Sequence, residues 1–123
     1  MSVMSEGQLQ ELCMQWVGVK RLTDERYWLV FAVPNGGKKP VATRIRHMKD
    51  GLLPGVSDVL VMCPSGDGVY HGACLELKTA KGRLSQSQEL FLKRAHENGM
   101  FTMVIRSFDD FVKALEGYFG SEV

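Results

Sequence analysis

A chain of 123 residues is long enough for one hydrophobic core and too short for two ordinary domains, so residues 1–123 read as a single domain. Apolar residues make up 45% and charged residues 24%, which excludes disordered and collagen-like classes, and no apolar run reaches the roughly 18 residues of a membrane span. The net charge of +1 does not by itself mark a nucleic-acid binder.

The first residues lack the basic-then-apolar layout of a signal peptide, so a soluble intracellular protein is expected. Ser5 and Gln8 have the spacing of a capping box, and Leu9, Leu12, Cys13, Trp16 and Val17 then recur at helical spacing. A helix over about Ser5–Val19 follows, with Glu6 on the edge of its apolar stripe. There Glu6 either complements the helix dipole or aims at an inward site. Tyr27–Val33 is aromatic and β-branched and is stopped by Pro34-Asn35-Gly36-Gly37, which predicts a strand entering a tight loop. After Pro40, the positions Ala42, Ile45, Met48 and Leu52 outline a short amphipathic helix that ends near Gly51. It carries a basic cluster, since Lys38, Lys39, Arg44, Arg46, His47 and Lys49 are close neighbours with Asp50 the one acid among them.

Val56–Cys63 reads as a second strand and Pro64–Gly68 as a turn, with Tyr70–Lys78 returning antiparallel. Alternation puts Glu76 and Lys78 on one face and Leu75 and Leu77 on the other. Ser85 and Gln88 repeat the capping-box spacing, and Leu90, Phe91, Ala95 and the stop at Asn98-Gly99 mark a helix. Phe101–Ile105 is a fourth strand, placed parallel to the third by a right-handed crossover. Ser107 and Asp110 open a last helix with Phe108, Phe111, Val112 and Leu115 on its apolar stripe. The sum is an α/β fold with a mixed central sheet flanked by helices. Cys13, Cys63 and Cys74 lack C-x-x-C spacing and sit in apolar segments, and the three histidines are scattered; buried free thiols and no zinc site are expected.

The chemistry concentrates between Pro54 and Gln88. A simple hairpin register brings Asp58, at the head of one strand, beside Glu76 and Lys78 at the end of the next. Two carboxylates and an ammonium at one spot suit phosphodiester hydrolysis assisted by a divalent cation. Asp58 and Glu76 are the natural ligands, with the Leu77 main-chain carbonyl placed to join them, and Lys78 would serve the attacking water. On spacing alone the same pattern also describes a strand that reaches solvent with an ion pair, and Gln88 also reads as the closing residue of a capping box. Lys38, Lys39 and Arg44 are candidate phosphate contacts on charge pattern.

Taken together, Glu6, Pro34-Asn35-Gly36-Gly37, Gly55-Val56-Ser57-Asp58, Glu76-Leu77-Lys78, Gly82-Arg83-Leu84-Ser85 and Gln88 resemble the VRR-NUC (virus-type replication-repair nuclease) domain of the PD-(D/E)-x-K nuclease superfamily. The resemblance covers nearly the whole chain, whose size is that of stand-alone forms from bacteriophages and bacteria. It implies a restriction-endonuclease-like core, Mg2+ or Mn2+ as cofactor, and cleavage of DNA, with branched DNA such as Holliday junctions cut by homodimers. It also implies a cytoplasmic setting in a bacterial or phage-infected host. By the same resemblance Asp58 and Glu76 would bind the metal, Lys78 would act on the water, Glu6 would approach the metal directly or through a water, and Gln88 would support the site. Ser57 departs from the family pattern, where proline is usual. Two other readings remain, a flap- or end-directed repair nuclease and a non-catalytic DNA-binding module that kept the fold.

Overall fold

The structure, a computed structural model, describes residues 4–34 and 41–120. Helix α1 (Glu6–Lys20) starts where the sequence places it: Ser5 Oγ accepts from the Gln8 amide and the Gln8 side chain accepts from the Ser5 amide. Leu9, Cys13 and Val17, one stripe of this helix, are buried.

The segment expected to be one strand from Tyr27 to Val33 splits in two. Glu25–Leu29 is a 3-10 turn, and only Val30–Ala32 (β1) extends. The cause is tertiary. Asp24 caps the turn by accepting from the Arg26 amide, and the buried Tyr27 ring packs against Trp16 at 5.6 Å and Phe119 at 4.8 Å between centroids. The Arg21 guanidinium then ties the turn to the strand, donating to the Tyr27 carbonyl at 3.0 Å and the Val30 carbonyl at 2.7 Å.

Helix α2 (Val41–Lys49) forms as expected, but Ile45, Met48 and the following Leu52 are exposed, so among the described residues nothing covers its apolar side. The remaining elements are β2 (Val59–Val61), β3 (Gly72–Leu77), α3 (Gln86–Glu97), β4 (Met100–Ile105) and α4 (Phe108–Phe119). Both hairpin strands are shorter than their apolar runs. The chain between them is held by Asp67 Oδ1, which accepts from the Ser65 hydroxyl at 2.6 Å and the Val69 amide at 3.0 Å.

The sheet has the order β1-β2-β3-β4. β1, β2 and β3 are antiparallel neighbours, and β3 pairs with β4 in parallel, with Val59 opposite Leu75 and Leu77 opposite Ile105. This is the mixed sheet read from the sequence. Every residue of β3 is buried. Ala73, Leu75 and Leu77 face the core shared with Leu9, Val17, Phe111 and Leu115 from α1 and α4. Cys74 and Glu76, of opposite parity, point to the other face, where α3 lies. Truncating Phe111, fully buried at the centre of that core, would cost about 3–5 kcal/mol.

Candidate active site

The site forms where β3 ends. Glu76 is its deepest member, 1% exposed on a strand covered on both faces. Asp58 stands just before β2, and its Oδ2 accepts from the Leu77 amide at 2.7 Å. In an extended residue the N–H and C=O leave the strand on the same side. The Leu77 carbonyl therefore faces the side on which Asp58 sits.

Burial pushes the Glu76 carboxyl up to about 8, helped by the nearby Asp58 carboxyl and opposed by Lys78. A carboxyl buried beside a second acid resists ionising until something positive joins it. Glu76 Oε1 accepts from Gln88 Nε2 at 2.8 Å, while the buried Oε2 has no hydrogen-bond partner among the described residues. An orphaned buried oxygen next to a second carboxylate is a donor set with a missing acceptor of electron density. Among the described residues no group of three or more His, Cys, Asp or Glu side chains converges to hold an ion. A hard cation such as Mg2+ needs no such group, since one or two carboxylates, waters and substrate phosphate complete its shell. The residues present therefore fit it.

Lys78 follows β3 directly, and its amide donates to the Ile105 carbonyl at 2.9 Å, which extends the parallel ladder by one step. Its side chain is 12% exposed, and Nζ lies 3.7 Å from Oε1 of Glu6, the first residue of α1. Glu6 thus reaches the site through the ammonium. Gln88 closes the capping box of α3, as its spacing suggests, with Oε1 accepting from the Ser85 amide at 2.8 Å. The other end of the same amide carries the bond to Glu76, so the two readings of this residue are compatible.

The structure therefore gathers Glu6, Asp58, Glu76, Lys78 and Gln88. Arg44 is exposed on α2, whereas Lys38, Lys39 and the Asn35-Gly36-Gly37 loop lie outside the described residues. Three positions that shape the site carry no chemical signal of their own in the sequence. A β-carbon at Gly55, whose φ is 87°, would stand 2.5 Å from the Ser87 carbonyl group, so only glycine lets the chain leading to Asp58 lie against the start of α3. The Pro-Gly pair at 54–55 was the available hint. Ser57 is fully buried, and its hydroxyl has no hydrogen-bond partner among the described residues. Arg106, exposed just past β4, donates to two carbonyls of the loop after Lys78.

The VRR-NUC domain family model matches residues 2–109 of this chain. No curated protein matches it. Among solved structures, one described as a VRR_NUC domain protein is similar at a TM-score of 0.74 and 19% identity, over 95% of this chain and 89% of that one, a likeness that speaks to the fold. With the family model spanning from before the first helix into the start of the last, the chain belongs to the VRR-NUC domain family, a family of DNA-processing nucleases.

Proposed function

We propose that this protein is a divalent-cation-dependent DNA endonuclease, selective for branched DNA such as Holliday junctions and active as a homodimer in replication, repair or recombination. The observation that carries the reading is the buried Glu76 beside the half-buried Asp58, with one Glu76 oxygen left unpartnered among the described residues and Lys78 nearby. Asp58, Glu76 and the Leu77 carbonyl would hold the ion. When bound, Mg2+ or Mn2+ supplies a Lewis acid for the phosphate oxygens and a more acidic water.

The chain's own groups do the rest. Gln88 fixes the Glu76 carboxylate by donating to Oε1, so its other oxygen keeps one direction. Lys78 orients the attacking water and meets the negative charge that builds on the phosphate as the new P–O bond forms and the bond to the leaving oxygen breaks. Glu6 keeps the ammonium from swinging to solvent. Lys38, Lys39 and Arg44 are proposed as contacts to the sugar-phosphate backbone, which would make binding fall steeply with salt. The homodimer is supported by the exposed apolar residues Ile45, Met48, Leu52 and Leu53 in and after α2, a surface that a second copy would cover. Two sites facing opposite strands would suit a four-way junction.

The test is incubation of purified protein with labelled four-way junction, flap and linear duplex, each with Mg2+, Mn2+ or chelator. Symmetric nicks across the junction, lost with chelator and in Asp58→Asn and Lys78→Ala, are expected. Nicking that persists in either variant, or in chelator, would remove the mechanism. A preference for flaps, or a ladder from one end, would move the substrate to free ends and keep the site.

A further inference from the structure

The segment after β3 leaves Lys78 in a tight turn whose Gly82 amide donates to the Thr79 carbonyl at 3.2 Å. Arg106 Nη1 donates to that same carbonyl at 2.8 Å and to the Gly82 carbonyl at 2.7 Å. The turn passes within a methyl group's width of the aliphatic stem of Lys78: a β-carbon added at Gly82 would stand 3.4 Å from Lys78 Cδ and 3.0 Å from Thr79 Oγ1. Thr79 and Ala80 also border a cavity of about 200 Å³, closed further by Met4, Leu9, Phe108 and Arg106 itself. On that side the turn borders open space, and the two hydrogen bonds from Arg106 tie it to the end of β4. The Lys78 amide is already fixed on Ile105, the residue before Arg106. Main chain and side chain of two consecutive residues thus grip the lysine's backbone and the turn that follows it.

We propose that Arg106 is a positioning residue: by fastening the turn over residues 79–82 it sets the place of the Lys78 ammonium, an inference that rests on the nuclease reading above. A guanidinium suits this task because the two N–H groups of Nη1 are fixed in its plane and point at the two carbonyls, whereas an ammonium is a rotating point charge on a flexible stem. The lysine, once held, keeps its position beside Glu6 and the two carboxylates. A reacting group displaced by about 1 Å can lose on the order of 100-fold in rate with binding unaffected.

The experiment compares full-length wild type, Arg106→Ala and Arg106→Lys on a labelled four-way junction in Mg2+, giving kcat and KM. Affinity for the same DNA is measured by anisotropy in Ca2+ at several salt concentrations, and melting temperature is recorded for each. Arg106→Ala should lower kcat by about 10- to 100-fold while KM and the Ca2+ affinity stay within about threefold of wild type. Arg106→Lys, which keeps the charge and the stem, should remain folded and fall between the two. An unchanged kcat in Arg106→Ala, or equal losses in the two variants, overturns the positioning role. A normal kcat with weakened binding and a flatter salt dependence also overturns it, and makes Arg106 a phosphate contact. If Arg106→Ala fails to fold, the decision falls to Arg106→Lys, where wild-type kcat overturns the proposal and an intermediate value supports it. Wild type without cation-dependent cleavage would sink the nuclease reading itself, an outcome separate from all of these.

Discussion

Two helices of this protein open on the same four-residue signature. Ser5 and Gln8 start α1, Ser85 and Gln88 start α3, and in each case hydroxyl and amide exchange hydrogen bonds at distances between 2.8 and 3.2 Å. The two differ at the free end of the glutamine. Gln8 is exposed. Gln88 is half-buried and donates to a carboxylate that has lost nearly all contact with water. A cap signature tells where a helix begins; what its spare donor meets depends on the chain packed in front of it. At α3 that chain is the loop through Gly55, pressed on Ser87.

The comparison can be broken most severely at that loop. Gly55→Ala places a methyl group against backbone and requires a left-handed φ, together worth about 2–4 kcal/mol, and should also abolish cleavage by moving α3 off Glu76; denaturant unfolding and junction cleavage check both. Gln88→Ala comes next. It removes one half of a cap and leaves Glu76 Oε1 unpaired, for about 1–3 kcal/mol and a cleavage rate lower by at least about tenfold. Gln8→Ala removes the equivalent half-cap with nothing behind it, so a loss of about 0.5–1 kcal/mol and a rate within about twofold of wild type are expected. The smallest effect has the opposite sign. At Gly7, in the first turn of α1, an added β-carbon meets only Ser5 Oγ at 3.9 Å, and Gly7→Ala should raise stability by up to about 0.5–1 kcal/mol with cleavage unchanged. Equal losses of activity in Gln88→Ala and Gln8→Ala would erase the distinction between the two helices.

Local signals made much of this legible. Both capping boxes, the Ser107 cap, the Gly99 stop and the alternation around Glu76 depend on neighbours within a few residues, and each element they mark is present. The strand–helix–strand order was enough to place β4 parallel to β3. What stayed hidden depends on distant partners. Tyr27–Leu29 has strand composition and forms a 3-10 turn, because Asp24, Arg21 and the ring of Phe119 hold it there. Helix α2 has the expected apolar stripe, yet the other described residues leave that stripe exposed. The acids and the lysine could be nominated from spacing, but the depth of Glu76, the second bond of Gln88 and the grip of Arg106 follow from the three-dimensional neighbourhood alone.

Arg21 also governs what the β1 edge of the sheet can recruit. β1 is one of the two edge strands and only three residues long, and the Val30 carbonyl, which a visiting strand would need for its first ladder bond, is already taken at 2.7 Å. The guanidinium is anchored a second time on Tyr27 and lies 5.0 Å from the centre of the Trp28 ring. A foreign strand would have to displace a charged group bound at two points before gaining anything. Brevity and an occupied acceptor are how sheets resist edge-to-edge growth into aggregates, and here one arginine from the end of α1 turns an open β edge into a finished one.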